Sequence, residues 1–357
     1  MTAGARRHRP DRSPAAGNRP GRGARPGGGR GRGRDPHPGT AAASRDADAP
    51  DQFPGGVVAG AWPGARDTGA VVADLISPWF RAHARDLPWR RPETTPWGVL
   101  VSEFMLQQTP VARVEPVWRA WMERWPAPSS LAAAPRADVL RAWGKLGYPR
   151  RAIRLHDAAA AIAEQHGDAV PSDVEALEAL PGVGSYTARA VAAFGFGLRA
   201  AVVDTNVRRV VARAVHGQGD AGPARTRADL ADVDALLPDD DAGAAVVSAG
   251  LMELGAVVCT ARSPRCADCP VAARCAWVAA GRPAYDGPRK PVQGFAGTDR
   301  QVRGRLMDVL RAAHGPVERA ALDAVWSDAG QRDRCLHSLL VDGLAEQTDD
   351  GRFALPV

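Results

Sequence analysis

The residues of this chain whose types and spacing could do chemistry are two acids, a glycine-rich hairpin and four cysteines. Glu103 stands inside Val99-Leu100-Val101-Ser102-Glu103-Phe104-Met105-Leu106-Gln107-Gln108-Thr109, a run whose other members favour burial. A carboxyl among such neighbours loses hydration, its pKa rises, and it becomes a proton donor near neutral pH. Read from this run alone, it could equally point to solvent or pair with an arginine. Asp204 ends an apolar extended piece and opens Thr205-Asn206-Val207-Arg208-Arg209. Helix N–H groups and the helix dipole at such a start favour the charged form of an acid. The hairpin Leu180-Pro181-Gly182-Val183-Gly184 leaves N–H groups bare at the start of the helix that follows, and these hold a phosphate without a side chain. Taken singly, a Pro-Gly-Val-Gly turn is often only a turn, and an acid before a helix is often only its cap.

Cys259, Cys266, Cys269 and Cys275 are spaced C-x6-C-x2-C-x5-C. Four thiols so close, with no histidine among them, ask for one tetrathiolate site. Zinc prefers two paired C-x2-C knuckles, and only one pair is present. Unequal spacing along a single loop suits the larger [4Fe–4S] cube better. Arg262 and Arg265 lie between the first two thiols, placed to meet phosphates, while Cys335 is remote and reads as an ordinary buried residue.

The elements that must position these groups read as helices. Pro171 to Leu180 is one, with Ser172 as N-cap, Glu175 completing a capping box, and Val174, Leu177 and Leu180 on one face. The helix after Gly184 carries Val191 and Phe194 inward. Further helices are expected over Val71–Ala84, over Leu131–Leu146 and through Arg151 and Arg154, with very few candidate strands. Gly144-Lys145-Leu146-Gly147-Tyr148 joins the last two. A tyrosine after such a turn can wedge into a base stack, although it can also be ordinary packing.

Composition bounds the rest. At 357 residues the chain can hold two domains. It has no apolar run of membrane-spanning length and no apolar segment behind its Arg-rich start, so neither a membrane nor a secretory route is expected. The five cysteines are then expected to stay free of disulfides. The formal charge of +6 is uneven: residues 1–50 hold eleven Arg against four Asp, a net of +7 that leaves about −1 for the rest. A nucleic-acid face must therefore come from local arginines and backbone N–H groups. Residues 1–66 are Arg, Gly and Pro rich and are expected to be disordered, either holding nucleic acid loosely or serving as an unselected extension. Residues 67–284 form the main helical domain, 285–297 a linker, and 298–357 a small module. Helices over Asp299–His314, Glu318–Trp326 and Gln331–Asp342, with a hairpin over Leu344–Leu355, make that module winged-helix-like.

The combination resembles the helix–hairpin–helix, endonuclease III-like DNA glycosylases and, within them, adenine DNA glycosylases of the MutY type. The matching pieces are Leu87-Pro88-Trp89, Ser102-Glu103-Phe104-Met105-Leu106-Gln107-Gln108-Thr109, Gly147-Tyr148, the hairpin, Val203-Asp204-Thr205-Asn206-Val207 and the four cysteines. They cover roughly residues 70–280 in the family's order. The hairpin and cysteines alone would fit endonuclease III equally well; the Ser-Glu run is the more selective.

The resemblance implies an all-α, two-lobed fold with a [4Fe–4S] loop, acting as a monomer on mispaired double-stranded DNA in the cytoplasm, at the nucleoid. It implies that adenine opposite 8-oxoguanine or guanine is flipped out and hydrolysed from its sugar. Glu103 would protonate the base and help activate water, and Asp204 would stabilise the sugar cation, directly or through a transient covalent adduct. Gln107, Gln108 and Tyr148 would meet the DNA, with Gln108 and Tyr148 filling the gap. Arg85, Trp89 and Asn206 would support the adenine pocket or the acids. Gly182, Val183 and Gly184 would meet a phosphate, and hairpin carbonyls around Leu180 and Val183 would hold a monovalent cation.

Three departures qualify this. Tyr186 stands where endonuclease III-like lyases carry a lysine, and the only lysines are Lys145 and Lys290, so a monofunctional hydrolase is expected rather than a lyase. A tyrosine there also resembles thymine glycosylases acting on G·T mispairs. No long MutT-like C-terminal domain follows, and Pro149 replaces the second tyrosine of the family's Gly-Tyr-Tyr. The non-enzyme alternative is an iron–sulfur DNA-binding or redox-sensing module, which would need neither acid.

Overall fold

Thr95 opens the helix that carries Glu103: its side chain accepts from Gly98 N at 3.4 Å, and Pro96 fills the first helical position. The computed structural model, which describes residues 65–288 and 294–357, makes this helix α2 (Pro96–Leu106) and buries every residue from Trp97 to Met105. A helix apolar all round has to lie inside a core. It does so here, among α3 (Val111–Arg124), α4 (Pro128–Ala132), α5 (Arg136–Trp143), α6 (Arg150–Gln165), α7 (Val174–Glu178) and α8 (Ser185–Phe196). Tryptophans organise this lobe: the Trp121 ring meets Trp125 and Trp143 edge to face, at 4.8 and 5.6 Å between centroids.

A second core lies between α1 (Ala65–His83), α9 (Thr205–Ala214), α10 (Thr226–Asp234), α11 (Asp241–Val257), α12 (Ala276–Ala279) and the cysteine loop. Ile76, Val207, Val247 and Leu254 are fully buried there. Met252 packs against both cores, so the two lobes meet along α11.

The C-terminal residues form α13 (Asp299–Ala312), α14 (Arg319–Asp323), α15 (Ala329–Val341) and an antiparallel pair, β1 (Glu346–Gln347) and β2 (Phe353–Ala354). Gly351, at φ +83°, makes the turn between the strands. Val302, Leu306, Leu336 and Phe353 join the first lobe's core, and α13 lies against α5.

Several local expectations need correction. The cap before the hairpin is Asp173, accepting from Ala176 N at 3.0 Å, and not Ser172; the helix accordingly begins at Val174. The long helix expected over Leu131–Leu146 is two, because Pro135 has no N–H to continue the first and biases Ala134 out of the helical region. Gly144, at φ +55°, then ends α5 ahead of Leu146. Phe194 is only partly buried, at a cavity between the lobes. Helix α1 starts at Ala65, inside the span assigned to the tail, and the rest of 1–66 lies outside the described residues, as do 289–293 of the linker. Among the described residues no helix is long and apolar enough to cross a membrane.

Candidate active site

Glu103 reaches the cleft from the middle of α2, and Asp204 reaches it from the start of α9 in the other lobe. Both line one cavity of about 480 Å3, together with Arg85, Trp89, Arg90, Tyr186 and Asn206. Burial pushes the Glu103 carboxyl up to about 7; the Tyr186 hydroxyl, donating to it, pulls the other way, the Asp204 charge adds to the rise and Arg90 opposes it. Only 5% of Glu103 is exposed. Burial, and then the two acids, raise the Tyr186 pKa well above its ordinary value, so its hydroxyl remains a donor. Near pH 7 Glu103 therefore exists in both forms, able to give a proton and to take one back.

Asp204 is fixed differently. As N-cap of α9 it accepts from Asn206 N at 2.8 Å and Val207 N at 2.7 Å, and from the Asn206 side-chain amide at 2.7 Å. Asn206 is held in turn by Arg209, whose Nη2 donates to Asn206 Oδ1 at 2.8 Å and to Gly255 O at 2.7 Å, while its Nε donates to Cys259 O at 2.7 Å. A hydrogen-bonded chain thus runs from the Asp204 carboxylate to the cysteine loop.

Trp89 is buried with its ring edge-on to Trp118 at 5.8 Å, giving the cavity an apolar wall. Arg85 is clamped to Glu253 by its Nε at 2.7 Å and Nη2 at 2.8 Å, and Arg90 Nη2 adds a bond to the same carboxylate at 2.9 Å. Burial alone would raise the pKa of the fully buried Glu253; hydrogen bonds from Arg85 and the Arg90 charge outweigh it and hold the group at about 2. Arg90 Nη1 is buried at this cavity with no partner among the described residues. Sequence reasoning missed Arg90 and Glu253. Glu253 carries the same signal as Glu103, an acid inside the apolar stretch Gly250-Leu251-Met252-Glu253-Leu254-Gly255.

Gln108 and Tyr148 lie outside the cavity, on neighbouring loops, both in the left-handed region at φ +56° and +47°. Gln108 is exposed, and Gln107 contacts Thr187 Oγ1 from its side-chain amide at 3.5 Å. Arg151, also missed, ties the two loops together. From a buried position it donates to Phe104, Met105 and Gln107 carbonyls, to Thr109 Oγ1 and to the Leu146 and Gly147 carbonyls, at 2.6–3.4 Å. Its guanidinium also lies over the Trp143 and Tyr148 rings.

In the hairpin, Val183 N donates to Leu180 O at 3.1 Å, and Gly182 adopts φ +77°. A Cβ on Gly182 would come within 2.6 Å of Arg154 Cβ, so α6 can pass only because that residue is glycine. No side chain caps α8 at Gly184, which is exposed, and Tyr186 sits in the same first turn, with its ring at the cavity.

Cys259, Cys266, Cys269 and Cys275 line a single apolar pocket with Trp277. No three His, Cys, Asp or Glu side chains among the described residues come together closely enough for a single metal ion. Four thiols with no histidine, on one loop with a single C-x2-C pair, suit a multi-iron cluster better than one zinc. Burial pushes the Cys269 thiol up to about 12 and raises Cys275 too, so holding these two as thiolates requires a strongly positive centre. Arg213 donates to Cys259 Sγ at 3.4 Å and stacks over Trp277 at 4.6 Å, bringing a positive charge to the same pocket. The residues present fit an iron–sulfur cluster. Of the loop arginines, Arg265 donates to Val257 O at 2.8 Å and Arg262 is exposed.

The sequence and the fold match a known class. Residues 101–233 fit the model of the HhH-GPD superfamily base excision DNA repair proteins, and residues 259–275, from the first to the last of the four cysteines, fit the iron–sulfur binding domain of endonuclease III. A solved thermostable thymine-DNA glycosylase is 26% identical with a TM-score of 0.54, covering 60% of this chain and 98% of that one. An adenine DNA glycosylase of Mycobacterium tuberculosis is 62% identical over 279 residues, 78% of this chain and 91% of that protein. One of Mycolicibacterium smegmatis is 64% identical over 283 residues, 79% and 94%. The chain belongs to the adenine DNA glycosylase family, and its cofactor is a [4Fe–4S] cluster.

Proposed function

We propose that this protein removes adenine from duplex DNA in which it is paired with 8-oxoguanine or guanine, by hydrolysis and without cutting the strand. The observation that carries the reading is the pair of acids in one cavity, Glu103 poised near pH 7 and Asp204 fixed by three hydrogen bonds. Adenine cannot be reached inside the stack, so it is extruded into the cavity between the lobes. The Glu103 carboxyl gives its proton to N7 of the base. The C1′–N9 bond then breaks, its electron pair leaves with the neutral adenine, and the cation left on the sugar faces the Asp204 carboxylate. Water adds to C1′ and yields its proton to Glu103, which restores the acid.

Trp89 stacks on the extruded base, and Arg90 lines the cavity beside it. Arg85, through Glu253, and Asn206 hold this geometry. Gln107 and Gln108 approach the DNA from the α2–α3 loop, with Tyr148 beside them. N–H groups of Gly182 and Gly184 meet a phosphate, the Val183 N–H being taken by the Leu180 carbonyl, and hairpin carbonyls hold a monovalent cation. Cys259, Cys266, Cys269 and Cys275 hold the [4Fe–4S] cluster, which when bound ties their loop to the second lobe; the base-release steps use side chains alone. The protein acts as a monomer, in the cytoplasm at the nucleoid. Lys145 is highly exposed on the α5–α6 loop and no lysine among the described residues lines the cavity, which supports hydrolysis over a Schiff-base step.

Duplexes carrying A·8-oxoG, A·G and G·T, incubated with the purified protein and then treated with alkali, test this. Adenine is released from the first two, and strands break only after alkali. Release of thymine but not adenine, or strand breakage before alkali, contradicts the reading.

A further inference from the structure

The C-terminal module reaches the loop that carries Tyr148. Arg300, second residue of α13, donates from Nη1 to the Tyr148 hydroxyl at 3.0 Å, and its guanidinium lies over the Phe295 ring at 5.1 Å. Tyr148 and Phe295 are 44% and 54% exposed, so these three side chains form an outward-facing group drawn from two parts of the chain. Further along the same interface Arg311 donates to the Gly144 carbonyl, and Arg141 Nη2 donates to Ala313 O at 3.1 Å. The module therefore holds the Gly144–Tyr148 loop at both ends. From inside, Arg151 stacks on the Tyr148 ring and binds the Gly147 carbonyl at 3.0 Å. A tyrosine at φ +47° is a conformation that its surroundings must impose.

We propose that Arg300 is a positioning residue for recognition of the base opposite the adenine, acting through Tyr148, so that the C-terminal module sets opposite-base selectivity. The inference rests on the reading of the cavity as an adenine site. Arg300 has only donors. It occupies a lone pair of the Tyr148 oxygen, fixes the ring's orientation and leaves the O–H free to donate. A directed O–H separates a facing base that presents an acceptor there, as the extra carbonyl of 8-oxoguanine can, from guanine, which has only C–H at that atom. Selectivity is a difference between two transition-state energies, and a probe free to swivel blunts that difference.

The test is single-turnover adenine release from A·8-oxoG and A·G duplexes by the full-length, cluster-loaded protein, by Arg300→Ala, by Tyr148→Phe and by the double variant. Each single change lowers the ratio of the two rates by about two- to tenfold, the weight of one hydrogen bond, and the double variant lowers it no further, as expected for two members of one interaction. Tyr148→Phe keeps the ring, so it serves even if Arg300→Ala folds poorly. Equal slowing on both duplexes, or losses that add in the double variant, overturns the proposal while leaving the adenine reading intact. Absence of adenine release from either duplex by the unaltered protein overturns that reading, and this proposal with it.

Discussion

Glu103 and Asp204 differ in what surrounds them. Glu103 is enclosed by apolar neighbours from its own helix and has one hydroxyl donor; Asp204 has three N–H donors at a helix start. The difference has a consequence for folding. An ordinary glutamate titrates at 4.5, and Glu103 in the folded protein titrates at about 7. Between those values the native state holds a proton that the unfolded chain has lost, so the favourable contribution is full below 4.5 and is lost as pH rises through 7. Glu103→Gln, neutral throughout, should therefore gain stability over the unaltered protein between pH 4 and pH 8 by roughly 3 kcal/mol. Thermal melts at both pH values check this, and an unchanged difference would remove burial as the cause of the shift. The sequence left Glu103 evenly between burial and a solvent or arginine contact; the fold decides it, because α2 is buried on every side from Trp97 to Met105 and leaves the acid nowhere to go. Arg151 was not legible. An arginine on an amphipathic helix reads as solvated, and its six acceptors come from residues 104–109 and 146–147, which only the fold brings together.

At the scale of elements, the cleft depends on how closely α11 and α9 approach. Gly255 of α11 lies under the first turn of α9, and a Cβ there would come within 2.7 Å of the Asn206 carbonyl. Backbone cannot yield as a flexible side chain can, so Gly255→Ala must displace the segment that holds Asp204. Overpacking of this kind costs about 1–3 kcal/mol, and we expect adenine release to fall by at least about tenfold, since displacement of a catalytic group by an ångström suffices for a larger loss. Rates compared with melting curves check it; a variant that melts lower but turns over normally would show that α9 tolerates the shift. The helical character was readable from periodicity, and the helix starts at Gly184 and Asp204 followed from turn and cap chemistry, whereas α3, α10 and α11 were not picked out. The break at Pro135 and the cap at Asp173 show where it failed. Local signals competed over one or two residues, and tertiary packing chose between them.

At the scale of the whole molecule, two cores meet along α11, and the cavity is the space that neither fills. One acid comes from each side, so neither lobe alone contains the site. The sequence separates Glu103 and Asp204 by 101 residues, and no local pattern could state that they converge; that step rested on resemblance until the lobes were seen together. The link from Tyr148 to the C-terminal module was likewise out of reach, since it joins residues 152 positions apart through one arginine.

The measurement that bears most directly on the account is the pH dependence of single-turnover adenine release from an A·8-oxoG duplex, for the unaltered protein and for Glu103→Gln. A proton donor at about 7 gives a rate that falls as pH rises above 7, while Glu103→Gln binds the duplex and releases no adenine. A rate flat from pH 6 to about 9, or release by Glu103→Gln at the unaltered rate, would contradict it.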